Sequence, residues 1–592
     1  MKNQIVLYDP ETKLWMRFEN PLRMLVANSI DEVLPCLQEL EESVYTQGLY
    51  AAGFLSYEAA PAFDDALSAK SPDAFPLLWF GIYSQPEIIE NSPFSKSSSY
   101  SFGELIPSIS KEKYVNTFDR IKKLIAAGDT YQVNYTYRLN TTFKGDSYAL
   151  FQNLITAQQD GYSAYIDTGR YIICSASPEL FFRLDAKRLI SRPMKGTAAR
   201  GRSIAEDKSQ ADWLFNSEKN RAENIMIVDM IRNDMGRIAD IGSVEVSSLF
   251  DIERYPTLFQ MTSTVTSSTG ATISEILAAL YPCASITGAP KARTMEIISD
   301  IETTPRRIYT GSIGFVAPDR TAQFNVAIRT VLIDTVTEHA EYGLGGGIVW
   351  DSDSLDEFEE CQVKARILKR EMSDFSLLET ILWTPEDGYF LLDYHLGRLA
   401  DSAEYFGYNV DIYRINEKLE TAAKSFSGKY SGKVNQQKVR LLVSKDGDIT
   451  IESMPLDVTE NPEKPGKPEA VRLKLSHEPV DSSSIFLFHK TTNRDVYNSA
   501  KASCGECDDV LLFNERGEIT ESCIANVILK LNGELVTPPV ECGLLAGTYR
   551  AWLLDKGEVK EKIISIDELK NVKEIYIANS VRKLREAVII NE

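Results

Sequence analysis

The chain has 592 residues, with 64 Lys and Arg against 85 Asp and Glu, so its formal net charge is −21. Such acidity argues against a main role in binding nucleic acids or anionic membranes, because both need basic surfaces. The first residues lack the apolar core of a signal peptide, and no run of roughly 18 apolar residues predicts a transmembrane helix. The eight Cys are scattered, with one CxxC pair at Cys504 and Cys507. The sequence therefore indicates a reduced, soluble, cytoplasmic protein.

Histidine is rare, and the only four are His339, His395, His477 and His489. Because the first 338 residues contain none, a Ser-His-Asp hydrolase site or a His-ligated zinc site is excluded there. Acid–base chemistry in that half therefore depends on other side chains.

The apolar pattern divides the chain into two α/β parts. The first opens with mixed helices and strands over 1–106, and its main strands are predicted at 162–167, 171–175, 180–184, 310–315, 324–333 and 342–350. Helices are predicted at 114–127, 212–238 and 355–372. The pattern restarts after 373–374, and a stretch rich in Pro, Lys and Glu at 459–470 indicates a connector. We therefore predict domains at 1–372, with an N-terminal part at 1–106, and at 375–592, with subdomains that divide near 460.

Three segments of the first half place polar side chains where burial is costly. Glu179 stands at the start of an apolar strand, and Lys195 precedes a Gly-Thr turn where a backbone can approach a ligand closely. Glu223 shares the apolar face of a helix with Ile227, so its carboxylate needs either a bound cation or an ordinary salt bridge.

A fourth segment, 351–364, is strongly acidic. Glu357, Glu360 and Lys364 have i, i+3, i+7 spacing and share one helix face. With Glu223 they offer hard oxygen ligands of the kind that Mg²⁺ binds together with water and an anionic substrate. A solvated, charged helix end is the alternative. Gly-rich segments at 285–293 and 343–349 could offer backbone N–H groups to a carboxylate.

Taken in order over 111–372, these segments closely resemble the chorismate-utilising enzymes, which include anthranilate, isochorismate and aminodeoxychorismate synthases. The motifs that carry the resemblance are GDTYQVNYT, SPELFF, PMKGT, AENIMIVDMIRND, SITGAPKARTMEII, YTGSIGF, FNVAIRT, GGGIVWDSD and ExxExxxK. The resemblance implies an α+β fold with two antiparallel sheets flanked by helices. It also implies a Mg²⁺ ion that holds the chorismate carboxylate.

Lys195 stands where anthranilate synthases have Ala, and a lysine there resembles aminodeoxychorismate synthase component I. The resemblance implies that the Lys195 amine adds to the chorismate ring as the 4-hydroxyl leaves, with Glu179 as general acid, and that ammonia then displaces the lysine. It makes Glu223 and Glu360 metal ligands, with Glu357 as a helper. The positions expected to hold the substrate are Tyr309, Arg329, Gly345, Lys364 and Gln260, the last at a point where many relatives carry His.

The sequence contains no segment of the GxCxGxQ type that marks a glutaminase. Ammonia is therefore expected from a separate glutaminase subunit or from solution. A nucleophilic lysine must be neutral, and burial near a cation favours the neutral amine.

In the second half, Lys490 lies beside an apolar run, Glu521 follows further along, and a Gly-Thr turn at Thr548 precedes a helix in a way that suits phosphate binding. Over 375–592 the motifs LLETI, HLGRLADSA, HKTTNR, ITESCIANV and LLAGTYR resemble the fold-type IV pyridoxal-phosphate enzymes. These include branched-chain and D-amino-acid aminotransferases and aminodeoxychorismate lyase. The resemblance implies a domain of two α/β subdomains and a possible homodimer through it.

The same resemblance assigns roles to the second set of residues. Lys490 matches the lysine that binds pyridoxal phosphate and shuttles the proton, and Glu521 matches the carboxylate that faces the pyridine nitrogen. The phosphate is expected to be held by Arg398, Thr548 and backbone amides near Ile524 and Ala525.

Aminotransferases and lyases share this framework, so the neighbouring domain decides between them. A lyase would consume aminodeoxychorismate made by the first half and release 4-aminobenzoate and pyruvate, two consecutive steps of folate-precursor synthesis. Two alternatives remain open from the sequence. One is an anthranilate- or isochorismate-type synthase fused to an amino-acid aminotransferase, and the other is a non-catalytic binding subunit.

Overall fold

The computed structural model describes residues 3–94, 99–158, 161–368, 375–427, 436–456, 470–503, 505–570, 572 and 574–590. The chain divides into two units, Met1–Ala199 with Gln210–Met372 and Ser373–Glu592 with Arg200–Ser209. Most of the connector predicted at 459–470, the boundary at 372–374 and Cys504 of the CxxC pair lie outside the described residues. Among the helices that the structure describes, none combines the length and apolar character needed to cross a membrane.

Two antiparallel sheets form the centre of the first unit. The larger has eleven strands, and its main path runs through Gly288–Ala289, Gln132–Gly145, His339–Ile348, Thr330–Asp334, Tyr171–Ser177, Tyr162–Asp167, Gln4–Asp9, Leu14–Phe18 and Glu87–Ile89, with Tyr100–Phe102 and Ile106–Pro107 paired to the second of these. The other has ten strands, namely Met194–Ala199, Leu258–Ser268, Arg188–Arg192, Leu180–Asp185, Ala322–Val326, Ser312–Val316, Tyr50–Leu55, Leu78–Tyr83 and Arg23–Ala27, with Glu245–Arg254 paired to the second.

The two sheets pack face to face and carry helices on their outer faces. Ile5 and Leu7 join an inner core with Phe54 of the other sheet, whereas Val6 joins the outer core, because successive strand residues point to opposite faces. The outer helices are Ile30–Glu41, Lys111–Ala126, Ser147–Gln158, Glu218–Gly236, Ile273–Leu280, Lys291–Ile301 and Ser354–Ala365. The predicted α+β fold of two antiparallel sheets flanked by helices is confirmed.

The prediction of one continuous helix over 212–238 is wrong. The structure has two helices, Ile204–Asn216 and Glu218–Gly236. Ser217 lies between them in an extended conformation, and its hydroxyl accepts a hydrogen bond from the backbone N–H of Asn220. This N-cap starts a new helix, because a capping serine satisfies a backbone donor that has no partner within the helix.

The second unit contains a small and a large sheet. The antiparallel four-stranded sheet has the order Gly388–Tyr389, Leu377–Thr384, Gln437–Val443 and Ile449–Pro455. The mixed eight-stranded sheet has the order Ile519–Ser522, Asp509–Phe513, Val471–Leu475, Lys583–Ile589, Ile575–Asn579, Asn526–Leu531, Glu534–Thr537 and Lys560–Glu561. The helices are Leu392–Phe406, Ile412–Ser427, Asp495–Ser503, Thr548–Asp555 and Ile566–Leu569. The two sheets with their helices agree with the two predicted α/β subdomains.

A buried ion pair fixes the strand Gln132–Gly145, which borders the first candidate site. Arg306 and Glu302 side chains are 1% and 3% exposed, and their closest N–O distance is 2.6 Å. Glu302 also accepts hydrogen bonds from the backbone N–H and the hydroxyl of Thr136, at 3.0 and 2.8 Å. The Arg306 guanidinium donates to the Asn134 carbonyl at 2.7 Å.

We expect Arg306→Met to destabilise the protein by roughly 3–5 kcal/mol, because it leaves the Glu302 carboxylate buried without its counter-ion. Denaturant unfolding of the full chain, followed by tryptophan fluorescence, measures the change. Arg293→Met is the matched control, since Arg293 pairs with Glu296 at the surface and such pairs contribute less than about 1 kcal/mol. Equal shifts in the two variants would contradict the prediction.

Candidate active sites

A cavity of about 540 Å³ in the first unit brings together every residue of the first half that was predicted to act at a site. Its lining includes the following ten: Glu179, Lys195, Glu223, Gln260, Tyr309, Arg329, Gly345, Glu357, Glu360 and Lys364. These residues come from distant points of the chain, so their convergence depends on the pairing of the strands.

Glu179 contributes a buried carboxyl group to this cavity. It lies just before the strand Leu180–Asp185 and is 2% exposed. Burial raises the pKa of its carboxyl group to about 7, although a hydrogen bond from the Ser285 hydroxyl at 2.6 Å opposes the rise. A carboxyl with this pKa is partly protonated near neutral pH and can donate a proton. The sequence pattern indicated only backbone N–H groups in the segment that contains Ser285, so this side-chain contact was not predicted.

Lys195 projects from the strand Met194–Ala199 beside a carboxylate. Its Nζ lies 3.9 Å from Glu223 Oε2. The next residue, Gly196, has a φ of 98°, a left-handed conformation that favours glycine. A Cβ on Gly347 would collide with Lys195 Nζ. The glycine-rich strand thus leaves the space that the lysine side chain occupies.

Gln132 is a polar residue near Lys195 that was not predicted as a site residue from the sequence. Its side chain is fully buried, and neither amide atom has a hydrogen-bond partner within the described part of the chain. Its amide nitrogen lies 3.3 Å from the position that a Cβ on Gly347 would take, the same position that Lys195 Nζ crowds. The feature of the sequence that could have indicated Gln132 is its place in the GDTYQVNYT motif, at the start of a buried strand.

The acidic helix Ser354–Ala365 supplies a carboxylate pair at the cavity. Lys364 Nζ lies 2.9 Å from Glu360 Oε1 and donates to the Gly345 carbonyl at 2.9 Å. The ammonium group of Lys364 lowers the pKa of Glu360, whereas burial and the charge of Glu360 raise the pKa of Glu357. The Ser352 hydroxyl donates to Glu357 at 2.8 Å.

Among the residues described, no group of three or more His, Cys, Asp or Glu side chains is gathered as a metal cluster. The three glutamates nevertheless line one cavity, and Mg²⁺ commonly takes one or two carboxylates and completes its shell with water and substrate oxygens. Glu223, Glu360 and Glu357 therefore fit a Mg²⁺ site that needs the substrate to be complete.

The remaining cavity residues make contacts that orient them. The Tyr309 ring packs against Gly343, where any Cβ would collide with it, and the Arg138 guanidinium lies 4.8 Å from the ring centre. Arg329 has a φ of 50° and donates to the Gln158 side chain. The Gln260 side-chain amide donates to the Gly196 carbonyl at 2.8 Å and so supports the turn after Lys195.

A second cavity, of about 400 Å³, lies in the second unit and brings together the other predicted set. Its lining includes Arg398, Lys490, Glu521, Ile524, Ala525 and Thr548. Burial and the nearby Arg398 guanidinium lower the pKa of Lys490 to about 8. The backbone is fixed there, because the Lys490 carbonyl accepts a hydrogen bond from the Leu378 N–H at 3.0 Å.

Glu521 is held in one orientation by three donors. The Tyr497 hydroxyl donates at 2.8 Å, the Leu545 N–H at 3.0 Å and the Asn526 amide at 3.2 Å. Burial raises the pKa of Glu521 to about 7 despite these contacts. A carboxyl in this state can share a proton with a ring nitrogen. Neither Tyr497 nor the side-chain contact of Asn526 was predicted from the sequence.

The predicted phosphate residues lie together on the cavity wall. Arg398 donates to Glu379 at 2.9 Å through Nε and to the Ala546 carbonyl at 3.0 Å through Nη1. Thr548 begins the helix Thr548–Asp555, whose first N–H groups suit an anion. The Ala525 N–H donates to Ser522 at 3.1 Å.

The sequence family described as chorismate binding enzyme matches residues 2–370, and the chain belongs to this family. Residues 376–590 match the family described as amino-transferase class IV, whose enzymes use pyridoxal phosphate. The half-buried Lys490, the oriented Glu521 and the helix N-terminus at Thr548 fit that cofactor.

The curated relatives each match a little under half of the chain. Aminodeoxychorismate synthase component 1 of Escherichia coli (strain K12) is 37% identical over 286 residues, which cover 48% of this chain and 63% of the relative. Aminodeoxychorismate synthase of Streptomyces griseus is 39% identical over 263 residues, 44% of this chain and 36% of the relative. The chain thus spans less than two thirds of the length of these relatives.

A solved structure agrees with the fold of the first unit. Anthranilate synthase component I from Streptococcus pneumoniae TIGR4 superposes with a TM-score of 0.51 at 24% identity, over 62% of this chain and 92% of that chain.

We expect Lys490 to be the lysine that pyridoxal phosphate modifies. Because its pKa is lowered to about 8, labelling by the aldehyde followed by borohydride reduction should rise steeply from pH 7 to pH 9, whereas ordinary lysines, with pKa values near 10.4, respond at higher pH. Peptide mapping by mass spectrometry identifies the labelled residue. Lys501, an exposed lysine of the same unit, is the internal control, and preferential labelling of another lysine would contradict the assignment.

Proposed function

We propose that the chain is a bifunctional enzyme that aminates chorismate to 4-amino-4-deoxychorismate and then eliminates pyruvate to give 4-aminobenzoate for folate synthesis. The observation that carries the proposal is that each unit has a cavity in which a lysine stands with acidic side chains, Lys195 in one and Lys490 in the other. Lys195 occupies the position that is Ala in anthranilate synthases, and the similarity to aminodeoxychorismate synthases supports the same reaction.

In the first cavity the proposed reaction is a double displacement. The Lys195 amine adds to the chorismate ring while Glu179 protonates the departing 4-hydroxyl group, and ammonia then displaces the lysine and leaves nitrogen at C4. Burial of Glu179, which raises the pKa of its carboxyl to about 7, supports the acid role. Arg329, Lys364 and Tyr309 would hold the substrate carboxylates, and Mg²⁺ bound by the glutamates would neutralise one of them.

In the second cavity Lys490 would carry the cofactor and move the proton. Pyridoxal phosphate, when bound, supplies an electron sink for breaking bonds at the substrate α-carbon. Glu521, oriented by its three donors, would keep a proton at the ring nitrogen. A neutral amine accepts a proton, and the lowered pKa of Lys490, about 8, supports that role near neutral pH.

We further propose that ammonia comes from a separate glutaminase subunit, as the "component 1" in the relatives' names supports. A homodimer through the second unit stays a prediction from resemblance. Six of the described cysteines, Cys36, Cys174, Cys283, Cys361, Cys523 and Cys542, are free thiols, which supports the proposed cytoplasmic location.

The assay that tests the function supplies full-length protein with chorismate, ammonia, Mg²⁺ and pyridoxal phosphate, and follows both products by chromatography. We expect Lys195→Ala to stop formation of aminodeoxychorismate, and Lys490→Ala to stop release of 4-aminobenzoate while aminodeoxychorismate accumulates. Lys113→Ala and Lys501→Ala, at exposed positions of the two units, are matched controls. Full activity of Lys195→Ala would refute the nucleophile assignment.

The pH dependence of the first step tests Glu179. The acid form is needed, so the rate should fall as pH rises through about 7. Ser285→Ala removes a hydrogen bond that stabilises the carboxylate, so the falling limb should move up by roughly one to two pH units. Rates are compared at constant free ammonia. Thr287→Val, in the same turn but bonded to backbone carbonyls, is the control. An unchanged limb in Ser285→Ala would count against Glu179 as the acid.

A further inference from the structure

A buried chain of hydrogen bonds lies behind the predicted phosphate site of the second unit. His395 and Glu379 side chains are 0% and 1% exposed, and His395 Nδ1 lies 2.6 Å from Glu379 Oε2. On the other side of the ring, His395 Nε2 lies 3.3 Å from the Thr548 hydroxyl. Glu379 also binds Arg398, with Nη2 at 2.6 Å. Glu379 thus connects both side chains that are predicted to hold the phosphate.

The protonation of His395 decides what the Thr548 hydroxyl can do. An ionised carboxylate only accepts hydrogen bonds, so Nδ1 carries a proton and donates to Glu379. In a neutral imidazole the other nitrogen is then an acceptor, and the Thr548 hydroxyl must donate its only proton to it. That hydroxyl then has no proton left for a phosphate oxygen.

We propose that binding of the cofactor phosphate protonates His395, and that Glu379 and His395 are positioning residues that turn the Thr548 hydroxyl towards the phosphate. The doubly protonated ring donates from Nε2 to the Thr548 oxygen, which frees the hydroxyl proton for the phosphate. The proton comes from solvent, and no covalent bond other than N–H forms or breaks. The proposal rests on the proposed function to the extent that pyridoxal phosphate binds in this cavity.

The charges around His395 agree with this change of state. Glu379 faces it from the strand Leu377–Thr384, Arg398 lies on the same helix, and Lys490 acts on it from across the cavity. Without a bound anion, burial lowers the pKa of His395, and the two cations lower it further against the opposing pull of Glu379. A phosphate dianion on this wall supplies negative charge that favours the imidazolium.

Glu379 is fitted to hold the imidazolium. Its pKa is lowered to about 2, with Arg398 and His395 opposing the effect of burial, so it stays an acceptor throughout the neutral pH range. Contacts on both ring nitrogens, Nδ1 with Glu379 and Nε2 with Thr548, hold the imidazole ring between the two side chains.

The scarcity of histidine makes the test direct. Full-length protein labelled with ¹³C,¹⁵N-histidine has only four side chains to observe by NMR, and the signal lost in His395→Gln is that of His395. Pyridoxal phosphate is added near neutral pH, and its binding is followed independently by absorbance. We expect the His395 signal to move from the neutral to the imidazolium position while His339 and His477 stay unchanged. If His395→Gln does not fold, replacing the other three in turn assigns the signal by elimination.

Two variants of Thr548 separate the effect of its hydroxyl group on His395 protonation from the effect of the phosphate charge alone. Thr548→Val keeps the shape but removes the hydroxyl, so the shift should be lost or strongly reduced; Thr548→Ser should restore it. Cofactor binding with His395 still neutral, or a full shift in Thr548→Val, would overturn this inference while leaving the proposed function standing. If the cofactor neither binds by absorbance nor moves any signal, the proposed function of the second unit and this inference both fail.

Discussion

Removal of ionisable side chains from water is the constraint on which both cavities depend. Glu179 and Glu521 are 2% and 4% exposed, and burial raises the pKa of each to about 7. Burial also brings the pKa of Lys490 down to about 8. Low-dielectric surroundings disfavour the charged form of each group, so all three groups exchange protons near neutral pH. Burial thereby shifts the pKa values of these carboxyl and amine groups towards neutrality, so that they can transfer protons as imidazole does in many enzymes.

A bidentate arginine–glutamate pair lies beside each cavity. Arg306 and Glu302 fix the backbone at Thr136, which pairs in register with Gly345 on the neighbouring strand. In the second unit Arg398 and Glu379 play the corresponding part beside the cofactor cavity. A paired and fully bonded charge avoids most of the cost of an isolated one. Each pair bonds to residues of the cavity surroundings and adds no net charge there.

The two units use the same principle for different chemistry. In the first, Lys195 lies near Glu223 on a wall where Gly347 leaves room for the amine. In the second, Lys490 lies among Arg398 and the donors around Glu521. The net charge of −21 has little influence on either cavity, because short-range charges dominate where water is excluded. An acidic protein can therefore hold anionic substrates and a phosphate.

The apolar pattern and the ordered motifs predicted the fold class, and they selected ten residues that line one cavity and six that line the other. These groups could be found because their chemistry is tied to short local patterns such as a lysine before a glycine turn. Three features could not be predicted from the sequence and depend on tertiary contacts. They are the hydrogen bond from Ser285 to Glu179, the Gln132 amide without a partner in the described residues, and the hydrogen-bonded chain from Glu379 through His395 to Thr548. The single helix predicted over 212–238 is likewise two helices. Ser217 caps the second one, and its capping role depends on its extended backbone conformation, which the apolar pattern does not show. The contacts of Ser285 with Glu179 and of Thr548 with His395 join side chains more than a hundred residues apart. Strand pairing and packing determine such contacts, so the spacing of residues within a local motif cannot predict them.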